Sequence, residues 1–329
     1  MSTVLVTGGA GFVGAYVTRA LLAEGHRVVV YDVRPSRNAL DLVLDRTGDR
    51  EGGDLVIEQG EITDGWRLLR TCRRHRVDQV VHLASPLTQD VTDNPVTGIR
   101  DVCLGTATMF EVAREAALGR LVWASSVAVF GPASAYPPGP LAYDACHRPT
   151  TLYGSAKSLC EQLARRAWEV DGVDSVGLRL TVVYGAGRLR GYMSYPSQVL
   201  RQAAAGGPVV VDFGAQRLNW QYVDEVAAMV SRVLASPTQG AGRTFNTYGD
   251  ARTWAEAAGV LRRVLPDVAV EVRDGLDPAL DGVVEAYDDS AFREHFGYEP
   301  RWPLERGVAA TVETYSRIIA EGLEVGMDG

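Results

Sequence analysis

The stretch "TVLVTGGAGFVGAYVTRALLAEG", from Thr3 to Gly25, constrains the chain more tightly than any other. A short β-branched run passes through a glycine-rich turn straight into an amphipathic helix, with no spacer between them. Two spacings are nested in the turn: Gly9, Gly11 and Gly14 fit G-x-G-x-x-G, and Gly8, Gly11 and Gly14 fit G-x-x-G-x-x-G. Glycines so placed allow a tight turn and let the backbone approach a pyrophosphate. They also set that group at a helix N-terminus, whose free amides and dipole favour anions. The runs "RVVVYD", "DLVIEQ", "DQVVHLA" and "RLVWASS" follow, separated by helical stretches. This is the βαβ rhythm of a parallel sheet, and runs apolar nearly throughout imply strands covered by helices on both faces. The expectation is an α/β fold with a doubly wound parallel sheet, its ligand beyond the carboxyl ends of the strands.

The second run ends in Asp32, eighteen residues after Gly14. A carboxylate there can accept hydrogen bonds from adenosine ribose hydroxyls, which favours NAD over NADP because a 2′-phosphate would meet a negative charge. Arg34 and Arg37 keep NADP open, since an arginine beside the site could pair with that phosphate. With 329 residues and a formal net charge of −8, the chain has no global attraction for nucleic acid or an anionic membrane. The basic run from Arg70 to Arg76 reads as the solvated face of a helix. Cys72, Cys103, Cys146 and Cys160 are irregularly spaced and apart from the histidines, so neither a metal site nor a disulfide framework is expected. The first residues carry no targeting pattern, and the chain is expected in the cytoplasm.

Residues 33–53 read as a polar loop with a helical turn or two, and 131–149 as a proline-rich wall on the substrate side. After Tyr184-Gly185 the βαβ rhythm weakens. Residues 1–185 are expected to form the cofactor domain. "NWQYVDEVAAMVSRVLA" and "GRTFNTYG" read as helix then strand, so 219–249 return to it. Residues 186–218 and 250–329 form a smaller α/β substrate domain, with a last helix near Glu305 to Glu324.

In "TLYGSAKSLCEQL" Tyr153 and Lys157 stand four residues apart, on one face of a helix. Leu152, Ala156, Leu159, Leu163 and Ala167 are expected to form an apolar stripe that presses this helix onto the core. Bringing a tyrosine from its usual pKa to about 7 takes roughly 4 kcal/mol. A neighbouring ammonium and an oxidised nicotinamide, both positive, supply much of that. Ser125 and Ser126 end the fifth strand, where a hydroxyl can orient a substrate alcohol and stabilise a developing alkoxide.

Together "TGGAGFVG", "GEITD", "VVHLAS", the Gly105-Thr106 pair, "ASSVAVFG", "YGSAK", "RLTVVYG" and "QRLNWQYVDEVA" make the chain resemble the extended short-chain dehydrogenases/reductases, the NAD-dependent epimerase/dehydratase family. The resemblance covers nearly the whole chain and implies a Rossmann sheet. It implies Ser126, Tyr153 and Lys157 as the catalytic triad, with Lys157 also on the nicotinamide ribose. Gly8, Gly11, Phe12, Val13, Gly14, Asp32 and Arg34 would hold the cofactor, with Glu61 and Ile62 at the adenine. Leu83, Ala84 and Ser85 would line it further along, and His82, with Ala84, the pyrophosphate side, although a satisfied strand-end histidine is the plainer reading of His82. Family members commonly form homodimers through a four-helix bundle, here the Tyr153 helix and the stretch from Asn94 to Leu118.

Dehydratases of this kind carry an acidic pair after the serine or threonine, where this chain has Val127 and Ala128. Reversible hydride transfer at a secondary alcohol needs only Ser126, Tyr153, Lys157 and NAD, which suits an epimerase acting on a sugar or nucleotide sugar. Arg217 matches the arginine that clamps a substrate diphosphate. Against that stand Val102, in place of the family's usual Asn, and the lack of a second clean arginine beyond Arg273. Tyr192 and Tyr195, in "RLRGYMSYP", could wall a smaller polar substrate instead. A dehydrogenase or ketoreductase acting on a non-nucleotide molecule, and a catalytically silent NAD-binding regulator, therefore stay open.

Overall fold

The computed structural model describes residues 1–35, 38–44, 55–280 and 282–322. The strands in chain order are β1 (Thr3–Thr7), β2 (Arg27–Asp32), β3 (Leu55–Gln59), β4 (Gln79–His82), β5 (Arg120–Ser126), β6 (Ser175–Leu180), β7 (Val182–Tyr184), β8 (Val209–Val211), β9 (Arg217–Tyr222), β10 (Arg243–Asn246), β11 (Asp250–Thr253) and β12 (Val270–Val272). The helices are α1 (Phe12–Ala23), α2 (Asn38–Leu44), α3 (Gly65–His75), α4 (Thr88–Asp93), α5 (Pro95–Ile99), α6 (Gly105–Glu115), α7 (Leu152–Asp171), α8 (Tyr195–Ala204), α9 (Val223–Ala235), α10 (Trp254–Val264), α11 (Ser290–Phe296) and α12 (Leu304–Ala320). A π-type turn, Arg100–Leu104, joins α5 to α6.

Seven strands form one parallel sheet in the order β10-β6-β5-β4-β1-β2-β3. The chain winds outward from β1 through β2 to β3, then crosses to β4, so the order reverses between β1 and β4. The crevice of such a sheet lies beyond the carboxyl ends at that reversal. Alternate residues feed two cores. Val4, Val6, Val28 and Val30 pack with Ala15, Val226 and Val230 on one face. Leu5, Val29, Tyr31, Leu121 and Trp123 pack with Leu68, Phe110, Ala156 and Ala164 on the other. Being covered on both faces is why β1, β2 and β5 read as nearly unbroken apolar runs. β3, at the sheet's edge, is only half-buried.

Two smaller sheets follow, β11-β9-β7 and β12-β8. Here the helical expectation for "NWQY" is corrected: Asn219–Tyr222 end strand β9, and helix begins only at Val223. Gln221 explains the difference. Its buried side chain holds Thr181, Thr247 and Tyr248 together, so β9 is a central strand pinned between β7 and β11. β10 pairs with β6 in the large sheet. Loop 131–149 is strapped to the C-terminal segment by Leu141 N to Ala286 O (3.0 Å) and Asp288 N to Leu141 O (2.9 Å). Arg37 and residues 45–54 lie outside the described residues; the last helix, expected to run to near Glu324, ends at Ala320, with Glu321 and Gly322 in a turn and Gly322 at φ +65°. No described helix is long and apolar enough to cross a membrane.

Candidate active site

The glycine loop connects β1 to α1. Gly8 has φ +70°, and a Cβ there would come within 2.7 Å of Ala84 N. A Cβ on Gly14 would lie 2.1 Å from Gly8 O, so only glycine lets α1 start this close to the turn. No side chain caps α1, whose N-cap is Gly11. A Cβ on Gly11 would meet only Gly8 O, at 3.2 Å, leaving the space beyond it open. An uncapped helix N-terminus over a glycine floor fits a phosphate group.

Asp32 stands at the end of β2 beside the loop. Its carboxylate accepts from Ala10 N (3.2 Å) and Arg34 N (3.1 Å). Burial raises its pKa, opposed by those backbone bonds and by the Arg34 charge. Arg34 is exposed. Thr7 carries the far wall: its carbonyl accepts from Leu83 N (3.0 Å) and its hydroxyl from Ala84 N (3.4 Å), drawing Leu83 and Ala84 across Gly8, while the Ser85 hydroxyl donates to Pro86 O (3.2 Å). His82 is a satisfied buried histidine, with Nδ1 2.8 Å from the Thr7 hydroxyl and Nε2 3.3 Å from that of Thr106. Burial pushes its pKa down to about 3, so the ring is neutral. Glu61 is exposed, with its carbonyl accepting from the Tyr31 hydroxyl (3.2 Å). Ile62 lies against Gly105, where a Cβ would come within 2.6 Å of its Cγ2.

On the other side of the reversal, α7 packs on β5 and sets Tyr153 and Lys157 beside the strand that ends in Ser126. Thr151 caps α7, its hydroxyl accepting from Gly154 N (3.0 Å). Gly154 lies hard against the turn after β5: a Cβ there would be 2.1 Å from Ala128 O. Lys157, only 3% exposed, donates from Nζ to Ala124 O in β5 at 2.9 Å. The same Nζ is 5.6 Å from the centroid of the Tyr153 ring. Ser126 Oγ accepts from Ala128 N (3.1 Å), whereas Ser125 turns away to donate to Glu161 (2.7 Å). Gly154→Ala is therefore expected to push α7 off β5, costing about 1–3 kcal/mol by overpacking. Denaturant unfolding would read that cost, and turnover per folded molecule should fall with it.

The stripe expected on α7 holds for Ala156 and Ala167, which are buried, and for Leu163, which packs against the core, and is corrected at its two other leucines. Leu152 and Leu159 are 51% and 45% exposed, and the buried face is Gly154, Ala156, Lys157, Cys160, Glu161, Ala164 and Ala167. Two charged residues are buried there because each finds partners in the adjoining strands. Glu161 accepts from Ser125 and from Arg179 Nε and Nη2 (2.9 and 2.7 Å). His147, from the proline-rich loop, places Nε2 3.2 Å from the same carboxylate. Burial alone would raise the Glu161 pKa, but Arg179, His147 and Ser125 outweigh it and hold it at about 2. Sequence reasoning missed this cluster, although Glu161 lies four residues past Lys157 on the Tyr153 face.

The expected substrate residues sit farther out and are engaged. Arg217 donates to Ala251 O (2.6 Å) and faces Glu256 and Glu285 at 3.6 and 3.8 Å. The Tyr192 hydroxyl donates to Asp277, and that of Tyr195 to Val210 O at 3.2 Å. Arg273 is exposed and paired with Asp212 and Glu271. The four cysteines are free thiols.

A doubly wound sheet, with a glycine loop over one strand end and a Ser, Tyr and Lys group at the next but one, defines a dinucleotide-binding α/β protein of the short-chain dehydrogenase/reductase type. Residues 4–247 match the NAD dependent epimerase/dehydratase family. The chain belongs to that family of enzymes. It is 26% identical over 344 residues to a UDP-glucose 4-epimerase of Azospirillum brasilense, covering 97% of this chain and 93% of that one. A UDP-glucose 4-epimerase of Thermus thermophilus, solved in complex with NAD, superposes with a TM-score of 0.76 at 25% identity, covering 95% and 98% of the two chains. The holo form of an L-threonine dehydrogenase from Cupriavidus necator superposes at 0.81 with 24% identity, covering 94% and 99%.

Proposed function

We propose that the protein is an NAD-dependent enzyme that reversibly oxidises a secondary alcohol of a nucleotide sugar, as an epimerase. The observation carrying this reading is Lys157, buried and anchored on Ala124 O, with its ammonium 5.6 Å from the Tyr153 ring at the strand end that holds Ser126. NAD, when bound, supplies a hydride acceptor that returns the hydride to the substrate carbon. The cradle for it is formed by Gly8, Gly11, Phe12, Val13 and Gly14, with Leu83, Ala84 and Ser85 opposite. Asp32 takes the ribose hydroxyls and selects NAD over NADP, while Glu61 and Ile62 flank the adenine. Tyr153 removes the alcohol proton as a phenolate that the Lys157 charge stabilises, Ser126 orients the oxygen, and Lys157 also binds the nicotinamide ribose. Val127 and Ala128 offer no acid or base for elimination of water. The substrate side of the cleft is assigned to residues 186–218 and those from 250 onward, with Tyr192 and Arg217 as contacts.

One observation favours a second reading. Arg217 already has a carbonyl and two carboxylates around it, so it is poorly placed to clamp a diphosphate. A dehydrogenase acting on a smaller, non-nucleotide alcohol would need no such clamp. Incubating the protein and NAD with UDP-glucose separates the two. The epimerase reading expects the 4-epimer with no net NADH; steady NADH from UDP-glucose, or no conversion of it, would overturn that reading, and NADH formed only with a small non-nucleotide alcohol would favour the second.

We further propose a cytoplasmic homodimer. Val96, Ile99, Leu104, Leu152 and Leu159 are 85, 39, 51, 51 and 45% exposed on neighbouring helices, an apolar patch that a second copy would cover.

A further inference from the structure

Arg188 follows β7 in the segment "GAGRLRG" and takes no part in the chemistry assigned above. Its guanidinium carbon lies 6.0 Å from the centroid of Phe12, the first residue of α1 after the glycine loop. Nη1 donates to Val183 O at 2.7 Å. Nε is buried and has no acceptor among the described residues. Among the described residues no carboxylate pairs with this half-buried arginine, in contrast to the fully buried Arg179 and Arg120, which meet Glu161 and Asp174.

A guanidinium is a fixed fork. With Nη1 committed to β7, the opposite edge carries Nε and Nη2 as parallel donors, the pair that grips an oxyanion side-on. Burial lowers the Arg188 pKa to about 10, and Tyr153 is near enough to feel its charge. Leaving a charge buried and unpaired is costly, and a chain of this kind recovers the cost when an anion arrives. The uncapped N-terminus of α1 stands beside it and favours the same charge.

We propose that Arg188 is a phosphate-binding residue of the cleft, gripping through Nε and Nη2 a diphosphate oxygen at the junction of the glycine loop and the β7 end. This rests on the reading of the cleft as a site for NAD and a nucleotide substrate. The diphosphate belongs to the dinucleotide or to the substrate, and titration calorimetry with NAD and with UDP, each alone, tells them apart. Arg188→Gln is expected to weaken one of the two by about 10- to 100-fold, the loss of a charge-assisted bond. Arg188→Lys should lose less, retaining charge without the fork. The unliganded Arg188→Gln protein should unfold no earlier than the parent, while its ligand-induced rise in Tm shrinks. Should the glutamine variant not fold, the lysine variant carries the comparison alone, with a loss of affinity for one ligand as the expected result. Parent-like affinity for both ligands in a folded variant would overturn the proposal and leave the cleft's function standing. A parent protein that binds neither ligand would overturn both.

Discussion

Tyr153→Phe is expected to lower turnover by about 10²- to 10⁴-fold, the usual contribution of a positioned proton-transfer group. The substitution removes one hydroxyl and leaves the ring that packs beside Lys157. NAD affinity should therefore hold within a few-fold, and the loss should fall on kcat. Lys157→Met is expected to lose both, because the ammonium is read as holding the phenolate and the nicotinamide ribose together. It also leaves Ala124 O, now paired with Nζ at 2.9 Å, without that donor. Parent-like turnover by Tyr153→Phe on the true substrate would favour a silent NAD-binding role over an enzyme using this group.

Glu161→Ala is expected to destabilise the protein by about 3–5 kcal/mol, because it strips the carboxylate from a buried Arg179. Arg179 would keep its bonds to Tyr143 O and Asn246 and lose both of those to Glu161. The damage should reach the active site, since Ser125 adjoins Ser126 and donates to the same carboxylate. The cluster also dictates a response to acid. Folding lowers the Glu161 pKa from 4.5 to about 2, so its contribution is whole above about pH 4.5 and is lost as pH falls toward 2. His82 acts in the same direction at higher pH: its pKa falls from 6.5 to about 3, so stability drains below about pH 6.5 as the unfolded ring takes up a proton. Denaturant midpoints measured from pH 7 to 3 should fall throughout, and the Glu161→Ala protein should lack the lower part of that fall.

The parts of the fold legible in the sequence are those whose physics is local. Gly8 and Gly14 stand where a Cβ would strike backbone, so their spacing directly reports the turn. The buried runs of β1, β2 and β5 report helices on both faces. Tyr153 and Lys157, four residues apart, share a face of any α-helix, and β5 supplies the carbonyl that fixes Lys157. What could not be read depends on partners distant in sequence. "NWQY" has no strand signature of its own and becomes one because Gln221 meets Thr181 and Tyr248. Leu159 looks like core and is exposed, whereas Glu161 looks like surface and is buried, because Arg179 and His147 arrive from other elements. Arg188 gives no signal until the Phe12 ring and Val183 O are set around it.

Whether one cleft joins the glycine loop to the Tyr153 and Lys157 pair is decided by a crystal structure with NAD bound. The diphosphate is expected over Gly8 to Gly14, the adenosine ribose hydroxyls on Asp32, and the nicotinamide ribose within hydrogen-bond reach of Lys157 beside Tyr153. A dinucleotide whose nicotinamide lies away from Tyr153 and Lys157, or whose ribose does not meet Asp32, would contradict that single cleft.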